Sequence, residues 1–340
     1  MGTAGGTIAP ERILHDMADL WVSLGKQGEG DAGVLRACSM TLVVAAEESD
    51  DAQAIGETLA ALMPEHPSRA IVLRFRAEDQ RALAARVFAQ CWMPFGHRRQ
   101  ICCEQIEITA SDASLPDLAA VVLPLTVPDL PVILWCRSPR LFHLPAFSQL
   151  AAIAQKVVLD SASFSDPAAA LHQMSGMSGA AAAGPLLADL SWTRLTRWRE
   201  LIAQIFENRA QLAILALVSD VLISYRTAAT PATAFYLAAW LLDGLDKVGA
   251  HPRVHFETQA GEPSGRLSLV ELRAPDRPDS IASISLAEGP AAEVKTGGLV
   301  SKALLPALTD YALMREELAI PGRDPAFERA LAAAAKLALS

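Results

Sequence analysis

Apolar residues recur along the chain at two alternating periods, and the alternation predicts its elements. Residues 1–9 carry no pattern and are expected to be disordered. Pro10-Glu11 opens a helix, because proline suits a first turn and an acid suits the positive end of the helix dipole. Ile13, Met17, Leu20, Trp21 and Leu24 then fall on one helical face, and residues 25–33 (GKQGEGDAG) predict a loop. A strand over Ser39–Ala46, a helix over Asp50–Met63 and a strand over Ala70–Phe75 follow. The β-rich runs ARVFAQCWM and QICCEQIEIT, separated by PFGHRR, predict an antiparallel hairpin. A helix over Leu115–Thr126, a fully apolar strand over Pro131–Cys136, a helix over Phe147–Ala154 and a short strand over Lys156–Asp160 complete the set. This β–α alternation predicts an α/β layer whose mixed sheet is mostly parallel, with the hairpin as an antiparallel edge.

Met174–Gly184 (MSGMSGAAAAG) has the composition of a linker. The expected division is an α/β domain over 1–175, a Gly/Ala-rich linker or loop over 176–189 and a second domain over 190–340. In the second domain, Leu195, Trp198, Leu201, Ile202 and Ile205 predict one helix over Trp192–Asn208. A strand over Val218–Tyr225 and a helix over Pro231–Leu245 follow, then three or four short strands within 253–297. Two Ala/Leu-rich helices, Ser301–Leu318 and Asp324–Leu339, close an α+β domain built on an antiparallel meander.

Composition then narrows the function classes. The 340 residues are 51% hydrophobic and 20% charged, enough apolar material for two cores. Asp+Glu number 38 against 29 Lys+Arg, a net charge of -9, which disfavours nucleic acid as a partner. The longest uncharged apolar stretch, Thr227–Leu242, is shorter than the roughly 20 residues that span a bilayer, and no leader pattern is visible at the start. Five cysteines (Cys38, Cys91, Cys102, Cys103, Cys136) form no CxxC, so a reduced, cytoplasmic protein without a membrane or nucleic-acid partner is expected.

The residues offer little machinery for chemistry. There is no GxGxxG after a strand, no GxxxxGK[ST] and no GxSxG. His251 and His255 are four apart, but Pro252 and the strand-like VHFET place them about 13 Å apart on an extended chain, too far to share a metal. The acidic pairs Glu47-Glu48, Asp50-Asp51 and Glu316-Glu317 sit near helix ends or on solvated faces. The vicinal Cys102-Cys103 reads as one thiol in the core and one on the opposite face, with a thiol switch through Cys102, Cys103 or Cys136 as the weaker reading. No catalytic residue, cofactor or metal is therefore expected. One local feature departs from the acidic background: Arg69, Arg74, Arg76, Arg81, Arg86, Arg98 and Arg99 stand against only Glu78 and Asp79. Such a run is either a solvated face or a docking patch for an acidic partner or a phosphorylated ligand.

Several motifs occur in a fixed order: His66-Pro67-Ser68-Arg69-Ala70, Cys103-Glu104-Gln105-Ile106, Pro124-Leu125, and Pro128-Asp129-Leu130-Pro131-Val132 leading to Trp135. With Trp198-Arg199-Glu200-Leu201 and Ala239-Trp240-Leu241-Leu242, this order resembles the OpcA family, the glucose-6-phosphate dehydrogenase assembly proteins of cyanobacteria and actinobacteria. The resemblance covers most of residues 35–245. It implies a non-catalytic assembly factor and allosteric activator of glucose-6-phosphate dehydrogenase in the oxidative pentose phosphate pathway, and leaves self-association open. Arg69, Glu104, Asp129, Trp135, Arg98 and Arg99 are the candidate motif or partner-contact residues; Arg69 stands where Glu104 or Asp129 could pair with it, and Trp135 has core neighbours. The alternative is a sugar-phosphate- or nucleotide-binding α/β enzyme or sensor that uses the Arg69–Arg99 patch.

Overall fold

The computed structural model describes residues 9–27, 34–93, 100–180, 184–260, 265–275, 277, 279–286 and 289–339. Residues 1–8 of the segment expected to be disordered and most of the loop expected at 25–33 lie outside these residues, as do Arg98 and Arg99. The chain forms two compact units, Met1–Leu159 with Ala183–Ala188, and Asp160–Ala182 with Asp189–Ser340.

The first unit is a helix-covered α/β sheet. Its strands are β1 (Val34–Arg36), β2 (Met40–Glu47), β3 (Ser68–Arg76), β4 (Leu83–Trp92), β5 (Gln100–Ser111), β6 (Val132–Cys136), β7 (Lys156–Leu159) and β8 (Leu186–Asp189). They lie in the order β1-β5-β3-β2-β6-β7-β8, with β4 antiparallel on β5 and β1, β2, β3, β5, β6 and β7 joined by parallel pairs. Central β2 is apolar from Leu42 to Ala46 and buried over that whole run, as a strand covered on both faces requires. The helices are α1 (Pro10–Gln27), α2 (Ala52–Leu62), α3 (Leu118–Val122), α4 (Pro139–Phe142) and α5 (Pro145–Ala151). Asp51 caps α2 by accepting from the amides of Gln53 and Ala54. The helix expected over Leu115–Thr126 is a short α3 between two 3-10 turns, because Pro116 and Pro124 interrupt its amide ladder.

The second unit holds α6 (Pro167–Ala180), α7 (Leu190–Thr193), α8 (Thr196–Ile205), α9 (Arg209–Ile214), α10 (Ala232–Asp246), α11 (Asp310–Leu318) and α12 (Pro325–Leu337). Its six strands are β9 (Asp220–Tyr225), β10 (Arg253–Thr258), β11 (Leu267–Arg273), β12 (Ala282–Leu286), β13 (Ala291–Thr296) and β14 (Leu299–Leu304), in the order β10-β9-β11-β12-β13-β14. The sheet is mixed. β9, α10 and β10 form a parallel crossover, and β11 to β14 form an antiparallel meander that runs past the expected range to include β14.

Three expectations change. Residues 176–189 are not a continuous linker: α6 runs to Ala180, and β8 begins at Leu186. Ala170, Leu171 and Met174 are buried and α6 packs on α12, so tertiary contact holds a helix that its Gly/Ser content disfavours. The helix expected over Ser301–Leu318 begins only at Asp310; Leu299–Leu304 is β14, turned back by Gly297 and Gly298 at positive φ, and Pro306 separates the two elements. The helix expected over Trp192–Asn208 is divided into α7 and α8, and Asn208 instead caps α9 through the amide of Ala210.

Candidate functional site

In the first unit the motif residues converge on one buried carboxylate. Glu104, on β5, is 3% exposed. Its Oε2 accepts from Arg69 Nε on β3 at 2.6 Å, and its Oε1 accepts from Trp21 Nε1 of α1 at 2.5 Å. Arg36 Nη2 of β1 lies 2.6 Å from the same Oε1. Arg69 also donates through Nη1 to the Leu125 carbonyl at 2.7 Å, the point where Pro124-Leu125 meets β3. Two motifs 35 residues apart are thus one ion pair, and two residues not singled out in the sequence, Trp21 and Arg36, complete it. Trp21 is visible in sequence only as part of an apolar stripe; its indole N–H is what needs a polar partner.

The other motif residues go elsewhere. Trp135 is buried on β6, with the Arg137 guanidinium 4.8 Å from its ring centre. Asp129 is exposed and holds φ 62° in the turn Val127–Leu130, a left-handed position that aspartate tolerates better than most residues. It does not pair with Arg69.

Among the described residues, the arginines of the Arg69–Arg99 run, left open between a solvated face and a docking patch, each have a partner of their own. Arg74 donates to the carbonyls of Glu48 and Asp50, Arg76 pairs with Glu48 and Glu78, Arg81 with Asp117, and Arg86 with Glu107 directly across the β4–β5 ladder. The charge count along the sequence missed this because most of the partners come from other strands and loops. Arg76 in turn holds the Glu48 carboxyl below its ordinary pKa.

Open α/β sheets bind ligands where the strand order reverses, beyond the carboxyl ends of the strands. Here that point lies between β2 and β6. The loop after β2 is Glu48-Ser49-Asp50-Asp51, acidic where a phosphate-binding loop would be glycine-rich. Arg140 of α4 spans the opening to both Glu47 (2.9 Å) and Asp112 (2.5 Å), and Ser138 donates to Glu47. The chain's own ion pairs therefore lie across this point, and they raise the Arg140 pKa further above its ordinary value.

Cys102 is not a free thiol: it is bonded to Cys91 across the β4–β5 ladder, a correction to the reduced reading of the sequence. The register puts the two cysteines directly opposite, which sequence spacing alone did not reveal. Burial pushes the thiols of Cys103 and Cys136 up to about 11 and about 12, so neither is a thiolate at neutral pH. His255 pairs with Asp220 at 2.8 Å and His251 with Asp246 at 3.2 Å, and no group of three or more metal-ligating side chains occurs among the described residues.

The second unit has its own buried acid. Asp189 accepts from the amides of Ser161 and Ser191 and from the Tyr236 hydroxyl at 2.8 Å. Burial, and then the nearby Asp160 carboxylate, push its pKa up to about 6. Asp160 is held by both guanidinium ends of Arg194 at 2.6 and 2.7 Å. Arg199 of the Trp198-Arg199-Glu200-Leu201 motif stacks 3.5 Å from the Trp192 ring centre; burial lowers its pKa to about 10, which still leaves it cationic. Trp192, Tyr236 and Phe327 form one aromatic cluster from α7, α10 and α12.

Comparison with known proteins places these two sets of motifs. No helix among the described residues is long and apolar enough to cross a membrane. A likeness to the Bacillus subtilis protein yvaA, named as an oxidoreductase, covers 89% of this chain and 96% of that one at 11% identity, but its TM-score of 0.38 carries no argument about fold or activity. A Nostoc punctiforme protein with the OpcA and OxPP cycle names is 30% identical over 184 residues, 53% of this chain and 38% of that protein. A Synechococcus elongatus protein with the same names is 29% identical over 226 residues, 66% of this chain and 48% of that one. The matched regions thus span less than half the length of these two relatives. Residues 60–176 match the glucose-6-phosphate dehydrogenase subunit N-terminal domain, and residues 185–331 match the corresponding C-terminal domain, well past the last motif quoted from the sequence. The chain, with both domains in order, belongs to the OpcA family of glucose-6-phosphate dehydrogenase subunits.

Proposed function

We propose that this chain is a non-catalytic assembly factor and allosteric activator of glucose-6-phosphate dehydrogenase, acting in the cytoplasm on the oxidative pentose phosphate pathway. The observation that carries the reading is the match of both family domains in sequence order. The ion pairs of Arg140 with Glu47 and Asp112 support it, because they lie where an α/β sheet would hold a cofactor. Such a protein works by linkage. It binds the active dehydrogenase assembly better than the inactive one, and each ~1.4 kcal/mol of preference shifts that equilibrium tenfold. Arg69, Glu104 and Trp135 then act as framing. Asp129, exposed in its turn, is the motif residue we assign to partner contact.

The test is to mix the purified chain with the dehydrogenase of the same genome and follow activity and sedimentation. A larger dehydrogenase assembly and a higher rate are expected, and D129N, which keeps the turn, should weaken both. Unchanged kinetics and unchanged sedimentation at molar excess would sink the reading.

A further inference from the structure

We propose that a cavity of about 580 Å3 in the second unit is a binding site for a small organic phosphate with an apolar body. The cavity is lined by Arg194, Arg197 and Arg266, with no acidic residue among the described lining, in a chain of net charge -9. The acidic anchors of two of them lie outside that lining, Asp160 gripping Arg194 from both ends and Glu200 holding Arg197 at 2.9 Å, while Arg266 donates to the carbonyl of Leu305, itself a lining residue. These contacts fix the guanidinium groups in place, and each guanidinium has five donors to share.

The same cavity meets the start of α10, a helix of 15 residues with no side-chain cap at Pro231. Its first-turn amides and dipole favour an anion. A second observation concerns a side chain rather than the helix backbone. Thr233 lines the cavity at 6% exposure, and its buried hydroxyl has no hydrogen-bond partner among the described residues. A hydroxyl buried without a partner is costly, and an acceptor-rich group seated at the helix start would satisfy it. Arginine, helix amides and a hydroxyl together present donors, the complement of a phosphate. Trp198 and Leu267 are apolar lining, so the rest of the ligand is apolar or aromatic rather than a bare ion.

Calorimetric titration of the full chain with 1-naphthyl phosphate tests this, with inorganic phosphate and 1-naphthol as the two halves. The intact ester should bind, and each half should bind at least about tenfold more weakly. T233V preserves side-chain shape and should weaken the ester about tenfold, and R266Q should weaken it at least as much. Because T233V removes an unpaired buried hydroxyl, its Tm without ligand should hold or rise, which separates lost binding from lost folding. No heat with about 1 mM ester, equal affinity in the parent and T233V, or naphthol binding as tightly as its phosphate would each overturn the proposal. None of these measurements involves the dehydrogenase, so their failure leaves the proposed assembly role standing.

Discussion

Single carboxylates set much of the chemistry of both units, in opposite ways. Glu104 is fully engaged: Arg69, Arg36 and Trp21 use both of its oxygens. Removing one partner of a buried ion pair strands the other charge, at a cost of about 3–5 kcal/mol. E104Q puts an amide where an oxygen meets a guanidinium, so urea denaturation should show a loss near the lower end of that range. A midpoint equal to the parent's would show that the group is dispensable framing. Asp189 is the reverse case, a carboxyl whose folded pKa is raised to about 6 by burial. Its unfolded value is near 3.8, so its contribution to stability is full below that pH and is lost as pH rises through about 6. A shift of roughly two pKa units corresponds to about 3 kcal/mol. D189N keeps an acceptor for the amides of Ser161 and Ser191 and removes the titration. Thermal melts from pH 4 to 7 should fall more steeply for the parent than for D189N; parallel curves would remove Asp189 as the cause.

Among the elements, the β4–β5 hairpin carries a covalent staple. Cys91 and Cys102 are 11 residues apart, and closing a loop of that size stabilises by about 3 kcal/mol in the chain-entropy account. Dithiothreitol should lower the Tm and raise the thiols titrated in denaturant from three, Cys38, Cys103 and Cys136, to five. In the native state only half-buried Cys38 should react promptly. The hairpin itself was legible in sequence, as were β2, β3 and β6, because alternation and unbroken apolar runs report burial directly. What failed were elements whose environment is not written locally. β8 is four residues inside an Ala/Gly-rich stretch, and β14, with Leu299, Val300 and Leu304 all exposed, has the composition of a helix. The candidate site divides the same way. The Arg69–Glu104 pairing could be drawn from strand adjacency, but Arg36 and Trp21 could not, and the arginine run looked free because Glu107, Asp117 and Glu48 reach it through the fold.

At the scale of the whole chain, family domains and compact units do not coincide. The family models change over between residues 176 and 185, whereas the chain passes from the first unit to the second at Asp160, returns for Ala183–Ala188 and passes back at Asp189. This interleaving has a physical basis in two elements. β8 belongs to the edge of the first sheet, next to β7, while α6 belongs to the second unit, where Leu171 and Met174 are fully buried and the helix packs on α12. A fragment spanning 190–340 follows the composition boundary but discards α6; one spanning 160–340 keeps it. Burying each large apolar side chain is worth about 1.5–3 kcal/mol, so losing Leu171 and Met174 alone removes about 3–6 kcal/mol. That is a large share of the 5–15 kcal/mol typical of a domain. Urea unfolding should therefore give fragment 160–340 a single cooperative transition, and fragment 190–340 a much earlier midpoint or a broad, non-cooperative one. Coincident midpoints with equal m-values would show that α6 contributes nothing to the second unit, and the boundary would then belong near residue 190, where the composition had placed it.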